Sequence, residues 1–221
     1  MRAGVCSAGM PASDFADPAI RRHLAARDPV LAQVMRTHGP CTLERDPAAP
    51  YRALASAVVF QQLNGNAART ILGRVCALGG GRAFPSPERL ARISDAQLRG
   101  AGLSAAKTAA IRDIAAKVRD GIIPGPRAIH ALADDAIVER CTTARGVGRW
   151  TVEMLLIFRL GRPDVLPADD YGVRNGFRHA FGLPDLPAPK ALLAHGECWR
   201  PWRTVAAWYL WRVADAAKVR A

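Results

Sequence analysis

Helix-start signals recur along the whole chain, and no stretch alternates as a half-buried strand would. Asp17-Pro18 and Asp28-Pro29 each pair a capping acid with proline at the first helical position, where its missing N–H leaves no bond unmade. Asn64 precedes a segment through Leu78 that Gly79-Gly80-Gly81 ends. Ser86-Pro87-Glu88, Ser94-Asp95-Ala96-Gln97, Ser104 and Asp134 open further helices, the Ser104 one reaching about Arg119. Ala53, Leu54, Ala57, Val58 and Gln61 share one helical face, and Pro201 falls in the first turn of a terminal helix. Residues 121–126 and the proline-rich 184–189 read as loops. With period 3.6 throughout and period 2 nowhere, the pattern predicts an all-α protein.

Within this run, residues 145–151 read Arg-Gly-Val-Gly-Arg-Trp-Thr. Gly146 and Gly148 permit positive φ and close approach of another backbone. The N–H groups opening the next helix lack intrahelical partners, and the helix dipole favours an anion ahead of them. Arg149 adds charge and the Thr151 hydroxyl a further donor, so the turn suits a phosphate held without reading of sequence. The run from Arg149 to Leu160 makes a helix of about 18 Å, with Gly161 as its stop. The loop from Gly161 to Asp169 contains Pro163 and Pro167 and, at about 3.3 Å per residue, can retrace that helix. The loop is thus long enough for Asp170, 170 − 150 = 20 residues beyond Trp150, to return to the neighbourhood of the hairpin.

Gly146-Val147-Gly148-Arg149-Trp150-Thr151 followed by Pro167-Ala168-Asp169-Asp170-Tyr171 resembles the helix-hairpin-helix DNA glycosylase superfamily, and within it the DNA-3-methyladenine glycosylase II branch. Trp199-Arg200-Pro201-Trp202-Arg203, Trp211 and Gln61-Gln62-Leu63 are similar to the same branch, over roughly residues 17–215. The resemblance implies two helical lobes with the active-site cleft between them. Residues 15–50 with 166–221 would form one from both chain ends and residues 51–165 the other, with the hairpin motif at about 134–160 and a loose tail over 1–14. It implies Asp170 as the catalytic carboxylate, Trp150 and Trp211 as aromatic walls of a base pocket, and Leu63 as the side chain wedged where a base has left the duplex. Gly146, Val147, Gly148, Arg149 and Thr151 would grip double-stranded DNA, with Gln62 a candidate contact to the orphaned base. A structural Na or K ion would rest on the main-chain carbonyls of Thr142, Ala144 and Val147; no other cofactor is expected.

Three departures from the family pattern stand out. Ala144-Arg145-Gly146 replaces the usual Leu-Pro-Gly, so the start of the hairpin is expected to be less rigid. Met154 stands in the pocket where a tyrosine is common, which leaves the lesion open among 3-methyladenine, 7-methylguanine, ethenoadenine, hypoxanthine, 1-methyladenine and 3-methylcytosine. The chain is too short for the extra N-terminal domain of the long bacterial enzymes. Superfamily members that also cut the strand carry a lysine where Trp150 stands, and Lys107, Lys117 and Lys190 lie in other segments. The expectation is a monofunctional glycosylase that leaves an abasic site.

Breaking a base–sugar bond develops positive charge on the sugar. A carboxylate beside that carbon stabilises the charge and orients the attacking water. A cationic base such as 3-methyladenine leaves without a strong acid, and an aromatic pocket attracts it by about 0.5–2 kcal/mol. The alternatives are a glycosylase for oxidised or mismatched bases and a hairpin module that binds DNA without catalysis.

Charge agrees with a polyanionic partner: 31 − 19 gives a net +12. Only four of those cations are lysines, so a general arginine bias is the plainer source of the same surplus. Cys6, Cys41, Cys76, Cys141 and Cys198 are scattered without a CxxC, as reduced thiols would be. Relatives with an iron–sulfur loop carry four cysteines where this chain has one, so no cluster is expected. No apolar run approaches a membrane span and no signal-peptide core follows Met1. A cytoplasmic monomer associated with the nucleoid is expected, with no membrane partner. Bland roles compete at several positions: Asp169 as an N-cap, Trp199, Trp202 and Trp208 as core, Leu63 as buried helix-end packing and Tyr171 as packing rather than pocket.

Overall fold

A computed structural model describes residues 14–46 and 48–220, and no strand occurs among them. The tail expected over residues 1–14 lies, apart from Asp14, outside the described residues. Helices α1 (Pro18–Arg27) and α2 (Pro29–His38) come first. Then follow α3 (Pro50–Phe60), α4 (Gly65–Leu78), α5 (Pro87–Arg92), α6 (Asp95–Gly100), α7 (Ala105–Arg119), α8 (Asp134–Thr142) and α9 (Arg149–Leu155). The last three are α10 (Tyr171–Ala180), α11 (Pro189–His195) and α12 (Arg203–Arg220).

The caps explain most of the helix starts. Asp17 accepts from the Ala19 N–H at 2.8 Å, Asp28 from Leu31 at 2.9 Å and Asn64 from Ala67 at 2.9 Å. Ser94 and Gln97 bond reciprocally in a capping box. Each such cap contributes about 1 kcal/mol. One start and one face differ from the expectation. Pro201 lies before α12 rather than in its first turn, because the Trp202 carbonyl is the first to accept, from Val205 and Ala206. The buried side of α3 is Leu54, Ala55, Val58 and Val59, one position round from the expected face. Gln61 has already left the helix there, serving as its C-cap.

Contacts divide the described chain into two units, residues 48–155 and residues 14–46 with 156–220. Residues 156–165 group with the chain-end unit, where the sequence suggested a boundary ten residues later. Their polar groups explain the grouping. The Phe158 carbonyl, which would accept from Arg162 in an α-helix, accepts instead from the Asp46 N–H at 2.9 Å. Arg162 N–H turns back to Leu156, so Leu156–Leu160 widens into a π-helical turn rather than continuing α9. The following loop is stapled to the start of α12. The Thr204 hydroxyl donates to the Arg162 carbonyl at 2.6 Å and accepts from Val165 N–H at 3.0 Å, and Arg203 grips the Asp164 carboxylate from 2.7 and 3.1 Å.

The core of the chain-end unit draws on α1, α2, α10 and α12, with Leu24, Leu31, Trp199, Tyr209 and Leu210 sealed from solvent. Each leucine so buried contributes about 1.5–3 kcal/mol. Trp199 and Trp208 belong to this core, and Trp202 packs against it. Helices α10 and α12 touch backbone to side: a Cβ on Gly176 would collide with the Leu210 carbonyl. In the other unit the buried faces are Leu54, Val58 and Val59 of α3, Ile111 and Ile114 of α7, and Ile137 and Val138 of α8.

Candidate active site

Asp170 is the N-cap of α10, its Oδ1 accepting the Val173 N–H at 2.8 Å. The same oxygen accepts the Trp211 indole N–H, also at 2.8 Å, from 41 residues further along the chain. A hydrogen bond to an ionised carboxylate is worth about 1.5–3 kcal/mol, and the positive end of α10 favours the anion as well. Space for this contact depends on Gly172. A Cβ there would stand 2.9 Å from the Trp211 Cδ1 and 3.0 Å from the Asp170 Oδ1. With its N–H committed, Trp211 packs one ring face on Phe158, centroids 5.7 Å apart at 28°. The π-helical turn delivers Phe158 to that stack. The unit thus holds a fixed carboxylate beside a pair of aromatic rings.

Capping therefore falls to Asp170, and Asp169 is exposed. Only the second acid precedes helical backbone at the right phase to reach the third N–H. The cap of α10 and the candidate catalytic carboxylate are one group here. Tyr171, the first residue of α10, is 63% exposed, against its expected packing role.

In the other unit, α8 and α9 flank the hairpin at residues 143–148. Gly146 takes φ +75° with an added Cβ only 3.3 Å from that of Ala110, so both conformation and space call for glycine. Gly148 differs from expectation: its φ is not positive, and an added Cβ would meet nothing within 4 Å. Val147 is buried and spends its N–H on the Ala144 carbonyl at 3.1 Å. Thr151 is buried too, facing inward with Val152 and Leu155, so its hydroxyl is not presented to a phosphate as expected. Arg149 lies 59% exposed, with Nε donating to the buried Glu153 carboxylate at 3.0 Å. That contact aims the guanidinium and offsets part of its charge. Trp150 is 46% exposed, while Met154, four positions on, is half-buried.

The turn after α3 completes the set. Gln62 has φ +56°, the one non-glycine residue in that region among the described residues. Such backbone costs on the order of 1 kcal/mol or more. It lifts Leu63 outward, 39% exposed, rather than letting it pack as a helix end. The Gln61 side chain reaches across 85 residues to donate to the Gly146 carbonyl at 2.9 Å.

One further group of metal-type ligands, Asp28, His195 and Cys198, has its ligand atoms within 4.8 Å of one another. Structural bonds occupy the acid. Oδ1 caps α2, and Oδ2 accepts from Trp199 Nε1 at 2.8 Å and meets His195 Nε2 at 2.9 Å. Burial pushes the Asp28 pKa up, but the His195 bond, the Leu31 N–H and the Trp199 N–H outweigh it and hold the acid below its ordinary value. The cluster reads as a strut between α2 and the turn at Gly196–Trp199.

Residues 55–202 match the sequence pattern of the HhH-GPD superfamily, base excision DNA repair proteins. The chain belongs to that superfamily. It is 42% identical over 168 residues, 76% of this chain and 74% of the relative, to DNA-3-methyladenine glycosylase 1 of Schizosaccharomyces pombe. It is 32% identical over 194 residues to the alkylbase DNA glycosidase-like protein mag2 of the same yeast, covering 87% and 91% of the two chains. Among solved structures, the Schizosaccharomyces pombe 3-methyladenine DNA glycosylase Mag1, bound to abasic DNA, aligns with a TM-score of 0.78 at 37% identity over 88% of this chain and 95% of that one. A DNA-3-methyladenine glycosidase from Bacillus halodurans aligns with a TM-score of 0.85 at 35% identity, covering 95% of each. The all-α HhH-GPD fold is thus shared across the described residues. Within it, Phe158, Gly172 and Gln61 are the site residues that sequence reasoning missed. Gly172 left a signal, a glycine in the first turn of an otherwise well-formed helix, and Gln61 stood in the Gln61-Gln62-Leu63 motif without a role of its own.

Proposed function

We propose that this HhH-GPD protein removes alkylated bases of the 3-methyladenine type from double-stranded DNA, hydrolysing the bond between base and deoxyribose. The observation that carries the reading is the Asp170 carboxylate, fixed by the Val173 and Trp211 N–H groups beside the Trp211–Phe158 stack. Two rigid donors keep the anion from swinging, so its field is in place before charge develops on the sugar. It stabilises the oxocarbenium-like sugar and orients the water that attacks C1′, accepting that water's proton as the base departs with the bond electrons. A methylated purine is already cationic and leaves neutral, so no general acid is required. The electron-rich, stacked rings of Trp211 and Phe158 suit such a base.

The hairpin takes the DNA backbone through the first N–H groups of α9 and the exposed face of Arg149, while Leu63 fills the gap left by the flipped base and Gln62 meets its partner. Trp150 in the position of the strand-cutting lysine makes the enzyme a hydrolase only, leaving an abasic site. The protein acts as a monomer in the nucleoid. The carbonyls of Thr142, which ends α8, and of Ala144 and Val147 in the hairpin would hold a Na or K ion that steadies the turn. Asp170→Asn tests the reading. The amide oxygen still accepts both N–H bonds, so duplex binding should persist while release of 3-methyladenine from methylated DNA falls on the order of 10²–10³-fold. Undiminished release would refute it. A glycosylase for oxidised bases with lyase action would instead leave a borohydride-trapped adduct on DNA.

A further inference from the structure

Three residues on one side of α7, spaced at 107, 110 and 113, meet both DNA-facing turns of their unit. Lys107 Nζ donates to the Val59 carbonyl at 2.8 Å and the Gln61 carbonyl at 2.7 Å, closing the C-terminal end of α3 where the strained Gln62–Leu63 turn begins. Ala110 is the surface against which Gly146 seats. Asp113 Oδ2 accepts the Arg145 N–H at 2.7 Å, and its Oδ1 is held by Lys117 Nζ at 3.1 Å. Gln61 Nε2 joins the two turns directly through the Gly146 carbonyl. The contacts form a closed ring: α7 to Lys107, to Gln61, to Gly146 and Arg145, to Asp113, and back to α7.

We propose that Lys107 is a positioning residue, holding the Leu63 turn at a fixed offset from the hairpin so that wedge and phosphate grip engage a duplex as one rigid body. The proposal rests on the functional reading above and deepens it. An ammonium on the last carbonyls of a helix is favourably placed against the negative end of its dipole. Desolvation lowers the Lys107 pKa, as expected for a charge drawn off the surface to serve main-chain oxygens. The ring also answers the missing proline at Arg145: in place of a stiff residue, the N–H that proline would lack is tied to Asp113. A wedge is needed only where a base leaves a paired stack, so the role predicts a defect specific to duplex DNA.

The test compares single-turnover excision of the same methylated base from duplex and from single-stranded oligonucleotides of one sequence. Lys107→Met should lower the duplex-to-single-strand rate ratio about tenfold, since small misplacements of positioning groups cost that much or more. Lys107→Arg, which can still donate to both carbonyls, should restore most of the ratio. In a Leu63→Ala background, Lys107→Met should add little further loss, because both act through the wedge. An unchanged ratio, or full additivity with Leu63→Ala, would overturn the proposal. A second readout is independent of lesion chemistry: 2-aminopurine placed opposite an abasic site, whose fluorescence reports insertion of the wedge. Loss of that signal in Lys107→Met with thermal melting retained supports the proposal even if the enzyme's lesion is another; an intact signal sinks it. No excision by the unmodified enzyme on any methylated oligonucleotide, with the wedge signal present, would fail the functional reading alone.

Discussion

The carboxylate corner and the hairpin solve opposite problems with the same residue type. At the corner, Gly172 exists because the protein itself needs the room, with Trp211 and Asp170 pressed to within about an atom's width of it. At the hairpin, Gly148 exists though the protein has no use for the room, since nothing lies within 4 Å of an added Cβ. One site is built from side chains locked together, the other from backbone kept bare. A site of the first kind fails when its packing fails. A site of the second kind stays folded and loses only its ligand.

The widest separation between the two should come from Asp170→Asn, which strikes chemistry alone. Next stands Gly172→Ala. Crowding of this kind costs about 1–3 kcal/mol, read as a lowered melting temperature, and displacing the carboxylate should slow turnover at least tenfold. Gly148→Ala is its mirror. Melting should be unchanged within about 0.5 kcal/mol, and affinity for undamaged duplex should drop; a stability loss matching that of Gly172→Ala would erase the contrast. Trp211→Phe keeps a ring on Phe158 but removes the N–H, and should lower turnover by the worth of one charge-assisted bond, about 1.5–3 kcal/mol in activation free energy, with duplex affinity little altered.

Smaller effects sharpen the picture at its edges. Arg149→Gln should weaken binding to all sequences alike and reduce the salt dependence of log K by about one unit at most, less if the Glu153 contact already spends part of the charge. A sequence-selective loss would contradict a phosphate role. The Asp28 strut gives a pH signature. Its folded pKa lies below the ordinary 3.8, so its stabilisation is complete above that value and drains away as pH falls through the lower folded one. Asp28→Asn should therefore flatten the acid limb of a melting-temperature profile and leave the neutral-to-alkaline limb parallel.

How much of this was legible depended on the reach of each interaction. Caps at Asp17, Asp28, Asn64 and Ser94 act over two or three residues, and the sequence displays them directly. The hairpin and its acid were readable for a similar reason, since glycines, arginine and Asp170 sit in one short stretch. The bonds that give the acid its setting were hidden. Trp211 lies 41 residues away. In the hairpin's unit the same holds for Gln61, which reaches across 85 residues to the Gly146 carbonyl. The π-helical turn arose from a single competition, Asp46 N–H taking the Phe158 carbonyl, which no helical periodicity encodes. Thr151 looked like a phosphate ligand because only packing decides which side of α9 faces in.

The staple of the Asp164 loop to Arg203 and Thr204, and the Trp211 bond to Asp170, have a consequence during translation. The hairpin segment is complete once residue 155 has left the ribosome, yet the acid has only its local Val173 bond until Trp211 emerges some fifty codons later. The longer-range of the two donors that fix Asp170 is thus among the last residues of the chain to be made.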